Sequence, residues 1–492
     1  MKSIAGFIDF KNRTYSYTGD SNCLTELTDS LILYRDLAGL MPIFYTIVQT
    51  RLLFASDIPT LLAYPGVEVQ LDAVGLAELL ALGPARYEYS GVLKGIHALP
   101  PGCRLSVKES GEVVVERYWD FVDKTIADSE EEIIQNVRTM LTKATLARLD
   151  DNSVSLLSGG VDSSIVTAIA ADYYREAGKQ LTTFSFDFKD SARHFKSNSF
   201  QPDRDRPWVD KMVEHCQTRH EYLECSPEDL IDSLYPAVEA RGLPGMADVD
   251  ASLLYFCGKI PQGTILTGEG ADEIFCGYPW FHNDSTVEIF PWSRDFATRT
   301  ALLKDEVAVG LEDVAKIHCK AYTDKFDDRD RKLGYLTLKW FMPTLLDRMY
   351  SMAKGFNIAA PFADVKLMEY VWSIPWDIKC KNGVVKHVLR EAGRGLNVPD
   401  EVLFRKKSPF PKTYDPRYTA LLAERLYDVI VDPTAPVRDI IDTKKTRKFI
   451  EDMLKDPNTS KPWFGQLMAG PQMMAYVLQL DYWLRRYKVR LL

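Results

Sequence analysis

Histidine and cysteine are scarce in this chain, and neither is spaced to hold a metal. Seven histidines and eight cysteines are scattered through 492 residues. The cysteines, at 23, 103, 216, 225, 257, 276, 319 and 380, form no CxxC pair. That excludes zinc fingers and thioredoxin-like redox sites and leaves reduced, mostly buried thiols. No run of about eighteen apolar residues is present, so no segment reads as a membrane-spanning helix. The opening MKSIAGFIDF meets Asp9 after a short apolar stretch and shows no small-residue cleavage site, so a cytoplasmic location is expected. Basic residues are outnumbered, 60 against 69 acidic, for a net charge of -9, which excludes the electropositive footprint of a general nucleic-acid binder. Internal repeats and low-complexity segments are absent too. What remains, 46% hydrophobic and 26% charged residues, is an ordinary globular composition at a length that calls for two or three domains.

Residues 1–120 read as a small β-rich unit. SIAGFIDF, LILYRD, PIFYTIVQTRLLFAS and CRLSV with EVVVERYW are β-branched and aromatic runs broken by turn residues, and LDAVGLAELLALG between them has helical spacing. Residues 125–492 form the second unit, where strands and helices alternate. Strands are expected at 154–157, 182–186, 220–224 and 264–267. A helix over 161–176 should bury Ile165, Ile169 and Tyr173 on one face. That order predicts an α/β fold with a parallel sheet and right-handed crossovers. Beyond about residue 290 the chain reads as mainly helical, and the polar stretch at 189–207 reads as a long surface loop.

The stretch SLLSGGVDSS, residues 155–164, places two glycines between an apolar strand and a helix. Gly159 and Gly160 permit backbone angles closed to other residues and let an anion approach the main chain. The helix that follows offers free N–H groups and a positive dipole end, and Ser158, Ser163 and Ser164 add hydroxyls. The result is a phosphate cradle, distinct from the Walker and GxGxxG patterns. A second stretch, LTGEGADEIFCGYPWF at 266–281, again follows an apolar strand and carries Glu269, Asp272 and Glu273. Like charges at about 4 Å cost on the order of 4 kcal/mol at an effective dielectric near 20, so carboxylates beside a phosphate site call for a cation between them. Magnesium fits that need, with Asp162 and Asp272 as its ligands.

The first stretch resembles the pyrophosphate-binding loop of ATP pyrophosphatases. Taken with TGEGADEIFCGYPWF, PTLLDR, MAKGF, KHVLRE and FRKKSPFPK, it resembles the synthetase domain of asparagine synthetases, and FQPDRDRP with LPGMADVDASLLYFC resembles the longer bacterial form. The resemblance implies an N-terminal remnant of an Ntn-type glutaminase β-sandwich. After it would come an ATP-pyrophosphatase sheet of the adenine nucleotide α-hydrolase-like kind, with a mainly helical C-terminal part. It implies a cytoplasmic enzyme that uses ATP and Mg2+ to adenylate a carboxylate, release pyrophosphate and pass the acyl group to ammonia or another amine. Its partners would be those small molecules, with a homodimer left open. Leu157, Ser158, Gly159, Gly160, Asp162, Ser163, Ser164, Ser185, Gly268 and Gly270 would hold ATP and pyrophosphate. Glu269 would face the acyl-adenylate and the amine, and Lys386 and Lys407 would neutralise the phosphates.

Two departures stand against this resemblance. Glutamine-using relatives open M-C-G-I-A-G with a nucleophilic cysteine after the initiator methionine, whereas this chain has Lys2 and Ser3 there, and the segments that hold glutamine are missing. Residues 1–120 are therefore expected to be structural, without glutamine hydrolysis. In MAKGFNIAAPFAD, Asn357 and Ala359 replace a glutamate and arginine usual in the family, and Asp347 just upstream is the matching acidic candidate for assisting the amine. Amide- or lactam-forming enzymes of specialised metabolism, such as β-lactam synthetases and peptide macrolactam cyclases, also lack the cysteine. Glu269, however, stands where β-lactam synthetases carry tyrosine. A catalytically silent binding homologue is the alternative of another class.

Overall fold

The computed structural model describes residues 3–492 apart from 29, 196, 198–201, 284–286, 294, 407, 458–461 and 466–467. Lys2 and Lys407 thus lie outside the described residues. Ten short strands open the chain: β1 (Ile4–Asp9), β2 (Thr14–Gly19), β3 (Leu24–Glu26), β4 (Leu31–Tyr34), β5 (Phe44–Val48), β6 (Arg51–Ala55), β7 (Gln70–Leu71), β8 (His97–Ala98), β9 (Cys103–Val107) and β10 (Val113–Arg117). Nine of them make two antiparallel sheets, ordered β2-β1-β6-β5-β8 and β10-β9-β4-β3. The run LLFA of β6 lacks polar alternation because both of its faces are covered. Leu52 and Phe54 enter the core between the two sheets, while Leu53 and Ala55 join the main core of the protein. The helical spacing at 71–83 becomes the helix Ala73–Leu82, started by Asp72, whose carboxylate accepts from the Gly75 N–H at 2.9 Å.

The second unit is built on five parallel strands, β11 (Ser153–Leu156), β12 (Thr182–Phe188), β13 (Arg219–Cys225), β14 (Thr264–Leu266) and β15 (Asn357–Ala359), in the order β13-β12-β11-β14-β15. Four match the expected strands to within one or two residues; β15 was not anticipated, being three residues between two helical segments. Strand order reverses at β11, so the carboxyl ends of β11 and β14 open a crevice where α/β sheets bind ligands. The helix Val161–Glu176 forms over the expected residues, but Tyr173 is exposed and Tyr174 is buried instead. Its first three turns are covered nearly all round. At its far end only the side facing the Asp150 turn is covered, and there the Tyr174 hydroxyl reaches the Ser153 N–H at 3.1 Å. Part of the polar stretch at 189–207 is a cleft wall and not only a surface loop, since Lys189, His194 and Arg204 line the crevice.

Beyond residue 290 the described chain is mainly helical, as expected, and includes Met342–Met352, His387–Arg394, Pro416–Val431 and Gly470–Arg486. Strand β16 (Arg490–Leu491) returns to pair in parallel with β7. Among the described residues no helix is long and apolar enough to cross a membrane.

Candidate active site

The loop after β11 begins by extending the sheet, with the Leu157 N–H donating to the Phe184 carbonyl at 2.8 Å. It then turns through Gly159, whose φ of +67° favours glycine. A Cβ at that position would stand 2.7 Å from Trp208 Cβ and 2.8 Å from the Val209 nitrogen, so space forbids one as well. Gly160 starts the helix with no side-chain cap. Gly160 to Ser163, at the positive end of the helix dipole, line the crevice. Ser158 and Ser163 join hydroxyls at 3.0 Å, and Ser185 of β12 donates to the Leu157 carbonyl at 2.5 Å. Ser164 departs from expectation. One position further round the helix, it points into the protein, fully buried and away from the crevice, with an unpartnered Oγ.

The loop after β14 packs directly on this cradle. A Cβ on Gly268 would lie 2.9 Å from the Ser163 nitrogen, and Gly270 takes a φ of +96°. Together they bring Asp272 opposite Asp162, and Lys386 lies between the two. Its Nζ sits 2.7 and 2.6 Å from the two Asp162 oxygens and 2.6 Å from Asp272 Oδ1. The lysine side chain is only 2% exposed. Burial alone would lower its pKa, but the two aspartates outweigh that and raise it, so the ammonium stays charged. Gly277 makes the arrangement sterically feasible, since a Cβ there would fall 1.9 Å from Asp272 Oδ1 and 2.3 Å from Lys386 Cε. Two carboxylates converging on one cationic point at the crevice form a donor set that suits magnesium. Among the described residues no cluster of three His, Cys, Asp or Glu offers a site of protein ligands alone.

Glu269 lines the crevice and accepts from Arg348 Nη2 at 3.0 Å. Asp347 does not join it. Consecutive residues on a helix point about 100° apart, so Asp347 faces the N-terminal unit. There its oxygens are taken by Arg35 at 2.7 Å and Arg86 at 2.6 Å. The expectation that Asp347 serves the amine is therefore corrected. Behind the cradle, Arg405 donates to the Gly159 carbonyl at 3.1 Å and pairs with Asp205. Arg390 donates to the carbonyls of Val385, at 2.6 Å, and of Arg405, at 3.1 Å, joining the two lysine-bearing segments.

The profile of the family described as asparagine synthase matches residues 136–485, and that of a glutamine amidotransferase domain matches 23–119. Asparagine synthetase [glutamine-hydrolyzing] 3 of Bacillus subtilis is 38% identical over 482 residues, 94% of this chain and 78% of that protein. This chain belongs to the asparagine synthetase family. Asparagine synthetase [glutamine-hydrolyzing] 1 of the same organism is 24% identical, over 77% of this chain and 65% of its own length. Amidase chyE of Penicillium rubens is 31% identical, over 52% of this chain and 39% of its own length. Asparagine synthetases are ATP-dependent, amide-forming ligases, and in this member the two glycine-bearing loops meet at one crevice. Arg348, Arg390, Arg405 and Gly277 were missed in the sequence although each sits inside or beside a motif already singled out. Their roles depend on which way each side chain points, which spacing alone does not disclose.

Proposed function

We propose that this enzyme activates a carboxylic acid with ATP and passes the acyl group to ammonia or another amine, with L-aspartate as the first acid to assay. The observation that carries the reading is the meeting of Asp162, Asp272 and Lys386 beside an uncapped helix N-terminus. Ser158, Gly160, Ser163 and Ser185, with Leu157, Gly159, Gly268 and Gly270 shaping the turns, would hold the phosphates. Asp162 and Asp272 would hold Mg2+, which when bound neutralises phosphate charge. A carboxylate oxygen of the acid attacks the α-phosphorus, and the bond to the β-phosphate oxygen breaks. Lys386 turns from the aspartates to the departing pyrophosphate, where a preorganised cation lowers the barrier. The amine nitrogen then attacks the acyl carbon, AMP leaves, and the Glu269 carboxylate, held by Arg348, takes the amine proton. Lys407 is proposed to share the phosphate charge.

We also propose that glutamine is not the nitrogen source. Burial pushes the thiols of Cys23, Cys216, Cys225, Cys257, Cys319 and Cys380 up to about 12 and that of Cys276 to about 11, and it raises Cys103. None of the eight is activated as a thiolate. The same free thiols support a reducing, cytoplasmic setting. A second reading, an amide other than asparagine, is favoured by the aromatic crevice wall of Phe186, Phe188 and Phe410 and by Asn357 and Ala359 in place of a charged pair.

The deciding experiment identifies the products. AMP and pyrophosphate should form, and hydroxylamine should trap the activated acid as a hydroxamate. ADP and phosphate as products would overturn the proposal. Screening acids by ATP–pyrophosphate exchange separates the two readings of the substrate.

A further inference from the structure

The helix Met342–Met352 carries two neighbouring charges that reach different parts of the protein. Arg348, with a side chain 5% exposed, holds Glu269, which lines the crevice. Asp347, with a side chain 10% exposed, turns to the N-terminal unit and is held by two guanidiniums, one on each oxygen. Neither of those arginines is free to wander. Arg35 also donates to the carbonyls of Leu99 at 3.0 Å and Gly39 at 3.2 Å. Arg86 donates to the Ser90 carbonyl at 3.2 Å and lies 4.8 Å above the Phe44 ring. The segment that follows Arg35 meets the helix directly, because a Cβ on Gly39 would stand 3.1 Å from Pro343 Cβ in its first turn.

Breaking one partner out of a buried ion pair leaves a charge uncompensated. Asp347 between Arg35 and Arg86 therefore fixes both the rotation and the height of this helix turn. Arg348 is the next residue, so its reach to Glu269 is fixed with it. From this we infer that the N-terminal unit acts as a positioning device for the synthetase site: Arg35 and Arg86 hold Asp347, which sets Arg348 against Glu269. Arg35, Arg86, Asp347 and Arg348 are positioning residues, and the inference rests on the reading of Glu269 proposed above. It gives residues 1–120 a task that requires no glutamine chemistry.

The test uses the full chain, ATP, hydroxylamine and the acid that supports wild-type exchange, with L-aspartate tried first. Pyrophosphate exchange reports activation, and hydroxamate formation reports transfer. Glu269→Gln should lower transfer by about 10² or more, the range for removing a positioned base. Asp347→Asn should lower kcat for transfer by about tenfold or more, with KM for ATP within about twofold, because the cradle is untouched while Glu269 is displaced. Combined with Glu269→Gln, Asp347→Asn should cause no further loss, since both act through one carboxylate. Should Asp347→Asn fail to fold, Arg86→Met replaces it in the same cycle, and Arg86→Lys should recover at least half of the lost transfer. Full multiplicative losses in the double variant would overturn the positioning role alone. A Glu269→Gln enzyme with normal transfer would overturn the reading of the site, and the positioning role with it.

Discussion

Gly277→Ala is expected to cripple acid activation without demanding a new backbone. The backbone at this glycine lies outside the left-handed region, so alanine is excluded by its surroundings and not by its torsion angles. Against an ordinary contact of 3.4 Å, a Cβ placed 1.9 Å from Asp272 Oδ1 and 2.3 Å from Lys386 Cε must push these atoms back by about 1.5 and about 1.1 Å. The ion pair at 2.6 Å would then open to about 4 Å, beyond a direct charge-assisted bond. Misplacing reacting groups by about 1 Å costs on the order of 10² in rate, or about 2.7 kcal/mol of barrier. Overpacking alone costs stability by about 1–3 kcal/mol, so folded protein should still be recovered. ATP–pyrophosphate exchange measures the first effect and thermal unfolding the second. Gly258→Ala, where a Cβ would meet no atom closer than 3.4 Å, is the matched control. If Gly277→Ala exchanged pyrophosphate within twofold of wild type, the convergence of Asp162, Lys386 and Asp272 would not be what activates the acid.

Lys386→Met should abolish most exchange, by about 10² or more, and also lower stability by about 3–5 kcal/mol in nucleotide-free protein, because two carboxylates lose their shared cation; unchanged thermal unfolding would contradict that. Burial raises Asp248 from 3.8 to about 6. The folded state therefore keeps a proton that the unfolded chain has already lost, and the stability contributed is lost as pH rises through about 6, amounting to about 3 kcal/mol by neutral pH. Asp248→Asn should accordingly stabilise the protein at pH 8 and much less at pH 4.5, read from denaturant midpoints at both. Glutamine supplied in place of ammonia should yield no glutamate, even at high concentration, and measurable release would remove the case for thiols raised by burial.

Much of the architecture was legible because it follows from local rules. An apolar run ending in two glycines and a serine-bearing helix has few other uses, and the strand and helix at 153–176 form as the pattern demands. Helical spacing likewise disclosed Ala73–Leu82. What the pattern could not carry was direction within a motif. Asp347 and Arg348 are adjacent letters, yet one holds the crevice carboxylate Glu269 and the other turns to a different unit. Which one does so is set by Arg35 and Arg86, more than 250 positions away in the chain. Ser164 shares a motif with Ser158 and Ser163 but belongs to the interior. β15 escaped notice because its three residues owe their extended form to pairing with β14, whose own position is fixed only in the assembled sheet.

The parallel pairing of Arg490 and Leu491 with Gln70 and Leu71 has a bearing on biogenesis. Because these two strands lie some 420 residues apart in sequence, the small sheet cannot form until nearly all of the chain described here has left the ribosome. Closing so large a loop costs only slowly more than closing a short one, but it must await the last partner. Leu53 and Ala55 belong to the main core, so until the later segments arrive the amino-terminal sheets hold one apolar face uncovered. Such nascent surfaces are where aggregation begins. Residues 1–120 expressed alone are expected to meet that same unsatisfied face, read as a lower soluble yield than that of the full chain.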